Sequence, residues 1–184
     1  MKKRNTKQVI LPLITSFIWG SSFVAQSLGA GKVGGFTFTA ARSIPAVLVL
    51  GALVLILRRV RHEEKYTPQQ KKDLLEGGLV CGIFLTLGTN LQQFGIADTT
   101  AGKAGFITAL YIVLVPMIGL ALGRRTGWLV WAAVAVAIGG LWFLCVPPEG
   151  FSVRLGDLYT LLCAFVFSLH ILSLIHISEP TRPY

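Results

Sequence analysis

Residues 36–57 read FTFTAARSIPAVLVLGALVLIL, with Arg42 as the only charged side chain. A bilayer has a hydrocarbon core about 30 Å thick, which about 20 predominantly apolar residues cross as a helix. This segment is long and apolar enough to predict a transmembrane span. A helix is the expected form, because lipid offers no hydrogen-bond partner to an unpaired backbone amide or carbonyl.

Comparable apolar runs lie on both sides of this segment. We predict further spans over 9–28, 77–95, 105–122 and 128–146, and a sixth that begins at Leu158 and is cut short. The fold class predicted is therefore all-α, a polytopic transmembrane helix bundle with five full spans and a truncated sixth. The first run follows a basic N-terminus, as in a signal peptide, but it is too long for one and more spans follow it.

The composition excludes several other classes of protein. Hydrophobic residues make up 53% of the 184-residue chain and charged residues 14%, against about 25% charged in soluble domains. A soluble fold of this size keeps too much of its chain at the surface to hide so many apolar side chains. The cysteines, Cys81, Cys145 and Cys163, lie inside apolar runs without a CxxC pair, which predicts buried, inert thiols.

The net charge of +9 has a topological explanation. Basic residues concentrate at the N-terminus, in a segment over 58–73 that we predict to be a solvated loop with or without a short surface helix, and at 124–125. Fewer lie on the opposite side of the spans: Lys32, Arg42, Lys103 and Arg154. Because cytoplasmic loops carry the excess of Lys and Arg, we predict a multi-pass protein of the inner (cytoplasmic) membrane with a cytoplasmic N-terminus. Nucleic acid is not an expected partner.

Three motifs that suggest chemistry have simpler explanations. The run GAGKVG at 29–34 matches GxGxxG but lies between two spans rather than after a strand, so no cofactor is predicted. His170, His176 and Cys163 lack a metal-ligand spacing, so no metal is predicted. Ser22 in GSSF resembles an intramembrane serine protease with His170 as its base, and a hydrolase remains a weaker hypothesis. We do not expect an enzyme.

Polar side chains follow one face in each of several predicted spans. Intervals of three, four and seven residues place side chains on one helix face, and polar groups at membrane depth tend to face the bundle interior. Converging stripes predict a path for a solute. The alternative is a non-transporting helical module that acts by helix association, in which such groups are interhelical contacts worth about 0.6 kcal/mol each. In such a module, the glycine motifs Gly78–Gly82 and Gly139–Gly140 would let neighbouring helices approach closely. The stripes are Trp19, Ser22 and Gln26; Phe38, Arg42 and Pro45; Thr86, Asn90 and Gln93; and Thr108 and Tyr111 with Pro116 beyond.

Four short segments form recognisable motifs: FIWGSSF at 17–23, FTFTAAR at 36–42, TTAGKAGFIT at 99–108 and GDL at 156–158. Together they resemble the EamA family of the drug/metabolite transporter superfamily. The resemblance implies ten helices in two inverted halves with the solute site between them. It also implies secondary transport, often efflux, of small metabolites such as amino acids or drug-like solutes. The solute path it implies runs along Trp19, Ser22, Gln26, Arg42, Asn90, Gln93, Thr108, Tyr111 and Pro116.

The resemblance also predicts how the chain divides. We expect residues 1–146 to form the first five-helix repeat and residues 147–171 to begin the second repeat. Residues 172–184 resemble a translated sequencing adapter and are interpreted as a non-native tail. The expected partners are the lipid bilayer, a small-molecule solute and the missing second half of the same protein, without which we expect no transport.

Overall fold

The computed structural model of the chain describes residues 7–61, 66–123, 126–145 and 153–178, and these residues form seven helices without a strand. The all-α fold class predicted from the sequence is confirmed. In chain order the helices are α1 (Lys7–Ala30), α2 (Gly35–Val60), α3 (Pro68–Asp98), α4 (Ala101–Ala109), α5 (Tyr111–Ala121), α6 (Trp128–Cys145) and α7 (Leu155–Ser178).

The outer surface of the bundle is apolar over most of its length. Val47, Leu55 and Val136 leave 68%, 69% and 76% of their area exposed, as do many similar side chains. Exposed apolar surface on this scale marks contact with a membrane. Within the described residues, α1, α2, α3, the α4–α5 pair and α7 are each long and apolar enough to cross a bilayer, and α6 adds a shorter stretch at Trp128–Gly140. A multi-pass membrane bundle is confirmed.

The fourth span is divided into two helices at Leu110. The backbone there stays helical, with φ −59° and ψ −15°, but the Leu110 amide donates to the Ile107 carbonyl at 3.1 Å. This shorter hydrogen bond is of the 3₁₀ type, which tightens a helix locally. Pro116 interrupts the backbone ladder again further along α5, because it has no N–H to donate. The span thus carries two weak points in its hydrogen bonding.

The third span begins earlier than the sequence predicted. Pro68 is its first residue and Thr67 its N-cap. The Thr67 hydroxyl accepts from the Gln70 amide at 3.3 Å, and the Gln70 side chain accepts from the Thr67 amide at 2.9 Å. This capping box makes residues 68–73 helical, so the predicted loop ends at Thr67 rather than at Asp73, and the helix allowed in this segment is the first turn and a half of α3. Residues 62–65 lie outside the described residues. A helix of 31 residues is about 46 Å long, so its first turns project beyond the hydrocarbon core.

The sixth span also differs from its predicted bounds. It begins at Leu155 rather than Leu158 and continues to Ser178 rather than stopping near Ile171. Residues 172–178, LSLIHIS, contain neither proline nor glycine, so nothing in them ends a helix. The helix of the sixth span is therefore longer than predicted, and the point at which its native sequence ends stays a prediction. The predicted repeat boundary at 146–147 and the last residues of the predicted tail, 179–184, lie outside the described residues.

Helix α7 packs most extensively against α3, and it also contacts α4 and α5, while α1 and α2 pack on α3. Two glycines of α3 face α7. A Cβ on Gly95 would lie 2.9 Å from the Gly156 carbonyl oxygen, and one on Gly88 would lie 2.5 Å from the Phe167 ring. Only residues without a side chain allow this approach, which is the usual way that membrane helices pack closely.

The glycines expected to mediate close packing do not do so in the described part of the chain. Nothing lies within 4 Å of the Cβ position at Gly78, Gly82, Gly139 or Gly140. That prediction is wrong for these contacts, because a glycine motif permits close approach only where a neighbouring helix is present. The GxxxG pair of α3 lies near its N-terminal half, whereas the contact with α7 lies along its C-terminal half.

Candidate functional site

The interior of the bundle is polar where its surface is apolar. The largest side chains with under 2% of their area exposed include Gln26, Gln93, Thr160 and Ser168, together with Cys163. Burying an amide or hydroxyl without hydrogen-bond partners costs free energy, so a concentration of such groups indicates shared hydrogen bonds or access for water or a solute. The position of these groups therefore locates the candidate site.

A charged cluster fixes the end of α7 against α3 and α4. Asp157 accepts hydrogen bonds from the Lys103 ammonium at 2.6 Å, the Thr99 hydroxyl at 2.9 Å and the Arg154 amide at 2.7 Å. Only 12% of the Lys103 side chain and 6% of the Asp157 side chain are exposed. A fully hydrogen-bonded, buried ion pair is highly specific in its geometry. It therefore sets the position of α7, and with it the side chains that α7 brings to the interior.

A cavity of about 270 Å³ lies between α1, α2, α3 and α7. Binding pockets for drug-sized ligands have volumes of about 300–1,000 Å³, so this one suits a small solute. Polar and aromatic side chains make up most of its wall. Its lining residues are Trp19, Ser22, Gln26, Arg42, Leu85, Thr89, Gln92, Phe167, His170 and Ile171.

On α1, the polar stripe forms a chain of hydrogen bonds along the cavity. The Ser22 hydroxyl donates to the Trp19 carbonyl at 2.6 Å, and the Gln26 amide donates to Ser22 Oγ at 3.4 Å. Gln26 is only 1% exposed, and its Oε1 has no hydrogen-bond partner among the described residues. An unsatisfied buried acceptor costs about 1–3 kcal/mol. A donor from water or a solute in the cavity would remove this cost.

The guanidinium of Arg42 contributes positive charge to the cavity. The side chain is half-buried, and its Cζ lies 5.9 Å from the centroid of the Phe38 ring one turn earlier on α2. Of the ten lining residues, Arg42 alone carries a permanent charge. The sequence left open whether Arg42 reaches the membrane interface or faces a cavity, and in the structure it lines the cavity.

Aromatic rings form one wall of the cavity and extend beyond it. Trp19 contacts Phe167 edge to face, with ring centroids 6.3 Å apart, and it stacks on Tyr111 at 6.2 Å with 13° between the planes. Tyr111 lies outside the cavity and, with Pro116, lines a separate apolar groove of about 660 Å³ between α5 and α6. Trp19, which stacks on Tyr111, and Ile171, which lines both spaces, connect this groove to the cavity.

The other three residues of the predicted path lie beside the cavity rather than in its wall. The Gln93 amide donates to the Gln26 carbonyl at 3.3 Å, and Thr108 accepts from the lining residue Gln92 at 3.4 Å. Asn90 donates within α3 to the Thr86 carbonyl at 2.8 Å. The structure therefore gathers Trp19, Ser22, Gln26 and Arg42 around one space, and the remaining five predicted residues are not part of its wall.

Six lining residues were not among the predicted path: Leu85, Thr89, Gln92, Phe167, His170 and Ile171. Thr89 and Gln92 follow Leu85 at intervals of four and three, the same spacing as the predicted stripe from Thr86, shifted by one residue. Phe167 and His170 lie on α7, from which no polar stripe was predicted. His170 Nδ1 is buried without a hydrogen-bond partner among the described residues.

The hydrolase hypothesis can be compared with this geometry. Ser22 and His170 both line the cavity. Among the described residues, however, the hydroxyl donates to the Trp19 carbonyl, and no hydrogen bond joins it to the imidazole. A serine nucleophile needs a base within hydrogen-bond reach. Ser22 is therefore part of the cavity lining and is not hydrogen-bonded to a base among the described residues.

Comparison with known proteins identifies the family to which the chain is similar. The profile of the EamA-like transporter family matches residues 6–146. A protein named "uncharacterized transporter" from Archaeoglobus fulgidus is 29% identical over 179 residues, which cover 92% of this chain and 49% of that protein. The chain thus spans about half the length of this curated relative. No solved structure matches the chain.

Proposed function

Because the chain belongs to the EamA-like transporter family, we propose that it forms the solute-binding wall of a secondary carrier for small metabolites, such as amino acids or drug-like solutes. The observation that carries the proposal is the cavity between α1, α2, α3 and α7, whose wall includes Gln26, Arg42 and His170, inside a bundle whose outer surface is apolar. Such a cavity holds a solute at membrane depth, and rocking of the helices opens it to either side in turn. Efflux is the proposed direction.

The origin of the lining residues supports this proposal. Helices α1, α2 and α3 belong to the proposed first repeat, residues 1–146, while α7 lies in the proposed start of the second, residues 147–171. Carriers built from inverted repeats bind their solutes where the repeats meet. Phe167 and His170 bring the second repeat to the same space as Trp19 and Arg42. We infer that a second half supplies the opposite wall, and that residues 172–184 are a non-native tail.

The unpartnered polar atoms favour a solute path over a purely structural module. The Gln93 amide donates to the Gln26 carbonyl and so joins α3 to α1. Five buried side-chain atoms have no partner among the described residues, and two of them, Gln26 Oε1 and His170 Nδ1, belong to side chains that line the cavity. Buried polar atoms without partners in the protein are usually satisfied by water or a ligand. The cavity is thus suited to a polar occupant.

Flux measurements test the proposal. The contiguous genomic DNA past codon 171 supplies the longer gene, which is expressed and reconstituted in liposomes with a panel of amino acids and organic solutes. Gln26→Leu keeps the size of the side chain but removes its hydrogen bonds, and we expect it to reduce flux by about tenfold or more, equivalent to about 1.4 kcal/mol. Leu28→Ala, at a position 68% exposed on the outer surface of α1, is the control and should keep its flux. Equal flux for wild type and Gln26→Leu with every transported solute would contradict the assigned path.

A further inference from the structure

Resting on this proposed function, we propose that the cavity binds a small organic acid rather than a cation or a neutral solute. Its carboxylate pairs with Arg42, an uncharged hydroxyl donates to Gln26, and its apolar or aromatic remainder packs on Trp19 and Phe167. A 2-hydroxy acid with one ring has this set of groups. Each of the three contacts follows from a different feature of the cavity wall.

The positive charge of Arg42 in the cavity wall favours a solute that carries a carboxylate. Arg42 is the one permanently charged lining residue, and neither Asp nor Glu is among the ten. Among the described residues, no carboxylate forms an ion pair with Arg42. A half-buried guanidinium without a counter-charge attracts anions and repels cations, more strongly than it would in water. Its planar fork of N–H donors also matches a carboxylate in two parallel hydrogen bonds.

The unpartnered acceptor of Gln26 selects a hydrogen-bond donor on the solute. Gln26 Oε1 is buried and lacks a donor among the described residues. A hydroxyl and an ammonium both donate, but an ammonium would lose its hydration in a cavity without a carboxylate, beside the positive charge of Arg42. A neutral hydroxyl supplies the same hydrogen bond without that penalty. The cavity therefore favours a hydroxy acid over the corresponding amino acid.

The aromatic wall and the volume limit the remainder of the solute. Trp19 and Phe167 present two rings at a steep angle, 76° between their planes, and such an edge-to-face pair accepts a further apolar or aromatic group. The volume of about 270 Å³ leaves room for one ring with a short acidic tail rather than for a drug-sized molecule.

A series of four matched probes tests this inference on the purified chain in lipid nanodiscs, with isothermal titration calorimetry as the readout. The probes are 3-phenyllactate, 3-phenylpropionate, 3-phenylpropionamide and phenylalanine. We expect 3-phenyllactate to bind most tightly. Loss of the hydroxyl should weaken binding about fivefold or more, and loss of the carboxylate charge by about tenfold or more, since hydrogen bonds to charged groups are the stronger ones. Phenylalanine should bind more weakly than 3-phenyllactate.

Two variants assign these preferences to side chains. Arg42→Gln should reduce the affinity for 3-phenylpropionate to that of its amide while leaving the amide affinity unchanged, and Gln26→Leu should abolish the advantage of 3-phenyllactate over 3-phenylpropionate. Protection of the Cys163 thiol, which is 0% exposed in the folded chain, from a maleimide reagent checks the folding of each variant. Arg42→Lys, which keeps the charge but not the fork, provides a second test of the carboxylate contact and should retain an intermediate preference.

The outcomes separate this inference from the carrier proposal. If the amide binds as tightly as the carboxylate, or if phenylalanine binds more tightly than 3-phenyllactate, the organic-acid inference is overturned and the carrier proposal is unaffected. If no probe binds but the thiol of Ser22→Cys reacts with a water-soluble reagent, the organic-acid inference is likewise overturned and the carrier proposal is unaffected. If no probe binds and that cysteine is also unreactive, the cavity is not a solute path and both proposals fail.

Discussion

The contact between Lys103 and Asp157 is the interaction on which the position of α7 most depends, and Asp157→Asn tests it. The substitution keeps the size of the side chain but removes its charge. It removes the carboxylate that lies 2.6 Å from the Lys103 ammonium, on a side chain that is only 12% exposed. Breaking a buried ion pair from one side costs about 3–5 kcal/mol, because the remaining charge stays desolvated. At about 2–4 °C per kcal/mol for chains of 150–250 residues, the midpoint of thermal unfolding should fall by about 6–20 °C.

The chain supplies its own reporter for this measurement. Cys163 lies on α7 and is 0% exposed, so its thiol reacts with a fluorogenic maleimide only when the packing around α7 opens. With Cys81 and Cys145 changed to Ala, the midpoint of the rise in fluorescence on heating gives the unfolding temperature. The assay works in detergent or nanodiscs, where helix content alone is a poor measure of unfolding.

A matched control separates the buried pair from charge effects in general. Lys72 and Glu76 form an ion pair at 3.7 Å with 66% and 65% of their side chains exposed, and exposed pairs contribute little to stability. Glu76→Gln should therefore shift the midpoint by less than about 4 °C. Adding Lys103→Met to Asp157→Asn should recover part of the lost stability, because no unpaired charge then remains buried. An Asp157→Asn midpoint no lower than that of Glu76→Gln would refute the reasoning.

Three further predictions concern packing, capping and the cavity. Gly95→Ala places a Cβ 2.9 Å from the Gly156 carbonyl and against Thr160. It should therefore lower the free energy of unfolding by about 1–3 kcal/mol in the same thermal assay. Gly78→Ala, with nothing within 4 Å of its Cβ position, should not lower the midpoint. Equal midpoints for the two would contradict the proposed α3–α7 contact. Thr67→Ala removes the capping box and should destabilise the first turn of α3 by about 0.5–2 kcal/mol. The amides of residues 69–72 should then exchange their hydrogens faster. Unchanged exchange would show that the cap does not stabilise this turn. Phe167→Ala removes one ring of the aromatic wall. It should weaken 3-phenylpropionate binding about threefold or more, because a ring contact worth about 0.5–1.5 kcal/mol is lost. Equal affinity would show that the ring of the probe binds elsewhere.

The fold class was predictable because the spans depend on a strong and simple signal. An apolar run such as 36–57 is long enough to cross a bilayer wherever its neighbours lie, so hydropathy alone identifies it. The ends of helices depend on local hydrogen bonds that hydropathy does not measure. Thr67 and Gln70 carried the capping signal that places the start of α3 at Pro68, and reading that signal would have corrected the predicted loop.

The lining of the cavity was only partly predictable, because periodicity does not say which neighbour a helix face meets. On α3, the stripe from Thr86 and the stripe from Leu85 have the same spacing, and packing against α1 and α7 decides that Thr89 and Gln92 face the cavity. The glycines show the same limit. Gly88 and Gly95 are seven residues apart and form no GxxxG, yet they mediate the contact with α7, while Gly78 and Gly82 do form one and have no neighbour within 4 Å.

The central claim is that the polar wall around Ser22 encloses a space open to water within the bilayer. The direct test is the reaction of Ser22→Cys and Thr89→Cys with a membrane-impermeant thiol reagent, in a chain whose Cys81, Cys145 and Cys163 are changed to Ala. Val47→Cys, at a position 68% exposed on the apolar surface of α2, is the lipid-facing control. We predict that both cavity cysteines react at least about tenfold faster than Val47→Cys and that 3-phenyllactate slows them. Cavity cysteines that react no faster than the lipid-facing one would contradict the claim.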